Sequence, residues 1–143
     1  MSSLTVSFHN IEEINQEDIK YVVLVAWYNN KLVLVRHQDR ETLEIPGGHI
    51  ELLESGEEAA KRELYEETGA IDFELHCFGV YSVNRDNNPS YGLLYRVDIK
   101  EMGPLPDSEI AEVRLVEELP ENITYPLIQP ILYEKVITYE ARN

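Results

Sequence analysis

The stretch from Gly48 to Ala70 reads GHIELLESGEEAAKRELYEETGA, and its local signals decide the fold around it. Ser55 is a preferred helix N-cap, and Glu58, three positions on, completes a capping box. Gly69 stands where helices commonly end in a left-handed residue. The stretch therefore predicts a helix from about Gly56 to Thr68. Within it, Glu57 with Lys61 and Glu58 with Arg62 are acid-before-base pairs at the favourable spacing of four. Glu63, Glu66 and Glu67 break that pattern. Each like-charged neighbour pair costs roughly 0.2 to 0.5 kcal/mol, and carboxylates in a last turn oppose the negative end of the helix dipole. At about 100° per residue the three fall within an arc of about 100°. Their oxygens can then converge on a hard divalent cation, which would turn the repulsion into coordination.

On the N-terminal side, Tyr21 to Tyr28 and Lys31 to His37 are rich in Val, Leu and aromatic residues. Asn29-Asn30 between them tolerates left-handed angles, so the pair reads as a β-hairpin. Thr42 to Ile45 reads as a short extended piece. In Pro46-Gly47-Gly48 the proline is expected to stop pairing, and the glycines let the backbone turn or approach a ligand; a loop from Gly48 to Glu54 follows. On the C-terminal side, Ile71 to Val83 and Tyr91 to Lys100 read as long strands around a turn at Arg85 to Ser90. Pro104 to Ser108 is a loop, and Glu112 to Val116 is a further strand. Pro126 to about Tyr139 reads as a closing amphipathic helix with Pro126 in its first turn. Strands on both sides of one central helix, with a second helix at the end, predict a mixed sheet covered by helices.

The chain has 143 residues, 43% of them hydrophobic, which fits one domain, residues 1–143, with a sizeable core. Lys and Arg total 12 against 27 acidic residues, a net charge of −15. That balance lacks the basic footprint of a duplex nucleic-acid binder, and a polyanionic substrate would need metal help. Cys77 is the only cysteine, which excludes an internal disulfide or a thiolate zinc cage; it is expected to be a small core or strand residue. No apolar run has the length of a membrane span, and the first ten residues lack a secretory pattern, so a cytoplasmic location without membrane contact is expected. His9, His37, His49 and His76 lack metal-ligand spacing and read as ordinary surface or packing residues.

Gly48, five residues, Glu54, seven residues, Arg62-Glu63-Leu64, one free position, Glu66-Glu67, one free position and Gly69 together resemble the signature of the Nudix hydrolases, the MutT-like family. The last aliphatic slot holds Ala70, smaller than usual, a departure that bears on packing. The resemblance implies an α/β/α sandwich with a mixed sheet and helices on both faces. It implies a metal site of Glu63, Glu66, Glu67 and the Gly47 carbonyl, with Mg²⁺ by default and Mn²⁺ accepted. Arg62 resembles the family's orienting arginine, and Glu54 would support it. The general base would come from a later loop, with Glu109 preferred to Glu112, though each could equally be a solvated carboxylate. Arg36 could lead a phosphate toward the metal or be a surface charge, and Gly48 would let the backbone approach the substrate. Taken singly, each box residue also has a plain reading: Arg62–Glu66 as a surface ion pair, Gly47-Gly48 as a turn. Trp27, Tyr28, Tyr81 and Tyr91 could stack on a base, but strand aromatics are more often sheet packing, and no base contact is assigned to them.

The reaction implied is hydrolysis of a phosphoanhydride in a nucleoside diphosphate joined to another group. The proline of ADP-ribose hydrolases and the tyrosine of dinucleoside polyphosphate hydrolases are not at their expected distances; Pro89 and Tyr91 lie too far on. Nucleoside triphosphates, oxidised ones included, are then the leading small-molecule partner, giving nucleoside monophosphate and pyrophosphate. A homodimer is carried as an open alternative. The competing class is a non-catalytic nucleotide-sensing or protein-binding module, against which the intact set of helix carboxylates argues.

Overall fold

A computed structural model describes residues 3–141. In chain order the elements are β1 (Leu4–His9), β2 (Ile19–Tyr28), β3 (Lys31–His37), β4 (Gly47–His49), α1 (Gly56–Thr68), β5 (Ala70–Arg85), β6 (Asn88–Met102), β7 (Ile110–Val116) and α2 (Gln129–Ala141), with two short 3₁₀ turns between β1 and β2. Seven strands form one sheet in the order β1-β5-β6-β2-β3-β7, with β4 also paired to β2. Among the described strands only the β2–β6 pair is parallel. Among the described residues no helix is long and apolar enough to cross a membrane.

The sheet is mixed because its local turns favour hairpins while α1 carries the chain between distant strands. Asn29 and Asn30 have φ of 53° and 66°, and Asp86 and Asn87 have 51° and 70°. Two successive left-handed residues make the tight turn whose twist matches a hairpin. The second turn is thus only two residues long, and the strands extend past the predicted Arg85 to Ser90 turn to pair Arg85 with Asn88. Pro89 is accommodated within β6 because β2 does not pair that strand until Tyr91.

Each face of the sheet carries a helix over an apolar layer, as strand alternation requires. On one face Val22, Leu24 and Ala26 of β2 pack with Ala59, Ala60 and Leu64 of α1. On the other Val25, with Leu32 and Leu34 of β3, packs with Leu132 and Val136 of α2. Leu64 is fully buried, and its truncation to Ala would cost about 2 to 5 kcal/mol. The predicted caps of α1 are both present. Ser55 Oγ accepts from Glu58 N at 3.0 Å while Ser55 N donates to Glu58 Oε1 at 2.9 Å, and Gly69 has φ of 80°.

Several expectations are corrected. Gly47–His49 is a strand, pairing Val23, Val22 and Tyr21 of β2; the two glycines allow close strand approach where a turn was expected. Thr42 to Ile45 forms only isolated bridges, Val35 with Glu44 and Leu43 with Ile123. β7 begins at Ile110, and α2 begins at Gln129. Pro126 lies in the turn before α2, while Pro130 takes a first-turn place, where a missing N–H costs nothing. Cys77 lies on a strand but is exposed.

Candidate active site

β4 sets the floor of the site. A side chain on Gly47 would place its Cβ 2.3 Å from the Val22 carbonyl oxygen, and one on Gly48 would place it 2.3 Å from Glu63 Cδ. The first glycine lets β4 seat against β2, and the second leaves room for the Glu63 carboxyl. The turn after β4 then bends back, with Glu54 N donating to the Glu51 carbonyl at 3.1 Å and Glu51 N to Glu54 Oε1 at 2.9 Å. That fixes Glu54 beneath α1.

Arg62 gathers the carboxylates. Its Nε and Nη2 donate to the two oxygens of Glu54 at 2.7 and 2.9 Å, a bidentate pairing. Its Nη1 donates to Glu63 Oε1 at 2.8 Å and Glu66 Oε2 at 3.3 Å, and Nη2 also reaches the His49 carbonyl at 2.9 Å. One planar cation thus fixes three acids and the end of β4, which the single charge of a lysine could not do. The guanidinium holds the Glu54 carboxyl down to about 2 and is itself raised, first by its bonds to Glu54.

Glu67 is 7% exposed. Its Oε1 accepts from Gly47 N at 3.0 Å, and Oε2 lies 3.6 Å from His37 Nε2. Burial pushes its carboxyl up to about 8, and the charges of Glu63, Glu44 and Glu66 add to the rise against the Gly47 bond. Burial likewise raises Glu63, opposed by Arg62. Desolvated carboxylates that repel one another are an oxygen-rich donor set suited to Mg²⁺ or Mn²⁺.

Glu63 and Glu67 line a cleft of about 650 Å³, together with Gly47 and Gly48. Glu66 is half-exposed and not among the lining residues; it is held by Arg62 Nη1 at 3.3 Å. Glu109 also lines the cleft, exposed, its Oε2 4.0 Å from His37 Nδ1. Arg36 and Glu112 are not among the lining residues. They pair with each other at 3.2 Å, and Glu112 also holds Arg114 at 2.7 Å. The structure therefore brings Glu109 to the carboxylate cluster and engages Glu112 and Arg36 elsewhere.

The cleft also contains residues the sequence reading passed over. Glu44, 7% exposed, holds Arg40 at 2.7 Å and lies 3.5 Å from His37 Nε2. Arg40 in turn stacks over Tyr125 at 5.5 Å, and Arg85 reaches the cleft from the tip of β5. These two, not Arg36, are its cationic lining. The signal for Glu44 was present: an acid between Leu43 and Ile45, just before Pro46-Gly47-Gly48, is a charge in a segment built for burial. Gln129 ties the start of α2 to the same segment, its Oε1 accepting from Ile45 N at 2.8 Å. Outside the cleft, Glu74 and Asp98 flank His76 on the sheet surface, with Asp98 held bidentate by Arg96.

Residues 18–131 match the model of the NUDIX domain. The chain is 37% identical over 106 residues to YtkD of Bacillus subtilis strain 168, provisionally named an 8-oxo-dGTP diphosphatase; the match covers 73% of this chain and 66% of YtkD, so it spans just under two thirds of that relative. Among solved structures, the Bacillus subtilis pyrophosphohydrolase BsRppH superposes with a TM-score of 0.78 at 28% identity, covering 96% of this chain and 92% of that one. A NUDIX hydrolase from Nitrosomonas europaea shares the fold, with a TM-score of 0.65 at 23% identity over 85% of this chain and 88% of that one. With the family model covering most of its length and the fold shared along nearly all of it, this chain belongs to the Nudix family.

Proposed function

We propose that this chain hydrolyses the phosphoanhydride of a nucleoside diphosphate joined to another group, and that its substrates are nucleoside triphosphates, oxidised ones included. The observation that carries this reading is the crowding of Glu63 and Glu67 beside Gly47 and Gly48, with Glu66 joined to them through Arg62. Such a donor set would hold Mg²⁺ or Mn²⁺, with the Gly47 carbonyl as a further oxygen. A divalent ion there would screen the phosphate oxygens and acidify the attacking water. The names of YtkD and BsRppH, a diphosphatase and a pyrophosphohydrolase, favour the same bond.

The chain's own residues supply positioning and proton handling. Arg62 fixes the rotamers of Glu54 and Glu63 and keeps their oxygens from turning to solvent. Arg40 and Arg85 offer positive charge to a polyphosphate entering the cleft. Water attacks phosphorus, the bridging P–O bond breaks, and pyrophosphate leaves with that oxygen. The water's proton passes to a carboxylate at the cleft, a role we assign to Glu109, which lines the cleft 4.0 Å from His37 Nδ1.

The test is a panel of 8-oxo-dGTP, dGTP, ATP, a nucleotide sugar, ADP-ribose and a dinucleoside polyphosphate, each with Mg²⁺ or Mn²⁺. We expect pyrophosphate from the triphosphates. Glu66→Gln should keep its melting temperature, since Glu66 is half-exposed with Arg62 as its contact, but lose turnover by about two or more orders of magnitude. If no compound is cleaved with either ion, the competing reading, a non-catalytic nucleotide-sensing or protein-binding module, moves ahead of this one.

A further inference from the structure

Four residues stand in one row across the sheet. His49 of β4 is opposite Tyr21 of β2, Tyr21 is opposite Gly92 of β6, and Gly92 is opposite Tyr81 of β5. Residues opposite one another across a sheet share a face. The row spans three strand spacings, about 14 Å, comparable to the reach of a nucleoside triphosphate. The row lies on the α2 side of the sheet with Val25 and Leu132, and the cleft it lines also takes in Gly48, Glu63 and Glu67 around the end of β4, where the His49 carbonyl accepts from Arg62. The Tyr21 ring lies 4.8 Å from that of His49.

The far end is unusual. A Cβ on Gly92 would lie 2.5 Å from Cε1, Cζ and the hydroxyl oxygen of Tyr81, so the Tyr81 ring lies over the glycine and leans along the row toward Tyr21. Tyr81 is 6% exposed and lines the cleft. Among the described residues no hydrogen bond reaches its hydroxyl. The ring is buried but the hydroxyl is not sealed in the core: it opens onto the cleft, where a hydroxyl with no protein partner is free to bond the polar edge of a ligand. Val83 and Leu132 give the same end apolar walls, the usual setting of a few oriented polar groups. Burial raises the Tyr81 phenol, so it stays neutral and can both donate and accept.

We propose that Tyr81, laid over Gly92 beside Tyr21, determines base specificity, its hydroxyl bonding the edge of the nucleobase while the polyphosphate reaches Glu63 and Glu67. This rests on the nucleotide-hydrolase reading of the cleft. Trp27, Tyr28 and Tyr91 take no part: Trp27 stacks with Tyr133 and carries Arg96, and the other two pack against the α1-side core.

Tyr81→Phe keeps the ring over Gly92 and breaks no protein contact, so its melting temperature should hold. Steady-state hydrolysis is measured for dGTP and for deoxyribose 5-triphosphate, which lacks a base. One lost hydrogen bond predicts that Tyr81→Phe raises the KM for dGTP relative to the base-free compound by about 3- to 10-fold. Gly92→Ala, which displaces the ring while keeping the hydroxyl, should shift the ratio in the same direction. Wild-type turnover of both compounds with an unchanged KM ratio in Tyr81→Phe overturns this inference alone. Failure of the wild type to cleave either compound with Mg²⁺ or Mn²⁺ overturns the hydrolase reading, and this inference with it.

Discussion

Glu67 makes the stability of the metal-free protein depend on pH in a direction opposite to that of an ordinary paired carboxylate. Its folded value of about 8 lies above its ordinary value of 4.5, chiefly because it is buried. Between those values the folded chain keeps a proton that the unfolded chain has lost, so stability falls as pH rises. The contribution is fully present below about pH 4.5 and gone above about pH 8. At 1.36 kcal/mol per unit the whole span amounts to at most about 5 kcal/mol. Glu67→Gln removes the titration while its amide oxygen can still accept from Gly47 N, as Glu67 Oε1 does at 3.0 Å. Urea unfolding in EDTA from pH 5 to 9 should show the wild type losing several kcal/mol more than this variant. With saturating Mg²⁺ the difference should shrink or reverse, because a bound cation favours the ionised form and displaces the proton. Parallel wild-type and variant pH profiles in EDTA would refute the idea that Glu67 is held protonated by its surroundings.

Arg62→Lys would leave most of the oxygens of Glu54, Glu63 and Glu66 without their donor. We expect a stability loss of about 1 to 3 kcal/mol and a 10- to 100-fold weaker Mg²⁺ affinity by calorimetry; wild-type affinity would show that Arg62 does not orient the cluster. Gly48→Ala sets a methyl carbon 2.3 Å from Glu63 Cδ, so Glu63 must swing away, and Mg²⁺-dependent turnover should drop by about an order of magnitude or more. Ser55→Ala removes the N-cap bond to Glu58 N and should cost about 1 kcal/mol, read as a lower urea midpoint.

The sequence by itself determined what depends on neighbours a few residues away. The bounds of α1 follow from Ser55, Glu58 and Gly69 because caps act within one turn, and the β2–β3 hairpin follows from Asn29-Asn30 because two left-handed residues suffice to reverse a strand. The spacing of Glu54, Arg62, Glu63 and Glu66 was legible for the same reason: a helix and the turn before it carry all four. Tertiary structure alone decided the rest. β1 pairs with β5 across 71 to 81 residues, and β4 became a strand because β2 offered a free edge. Arg36 met Glu112 across 76 residues, while Glu44, His37 and Arg40 converged on Glu67. Which side chains face one another across a sheet is set by long-range register, and a one-residue slip would send each to the opposite face.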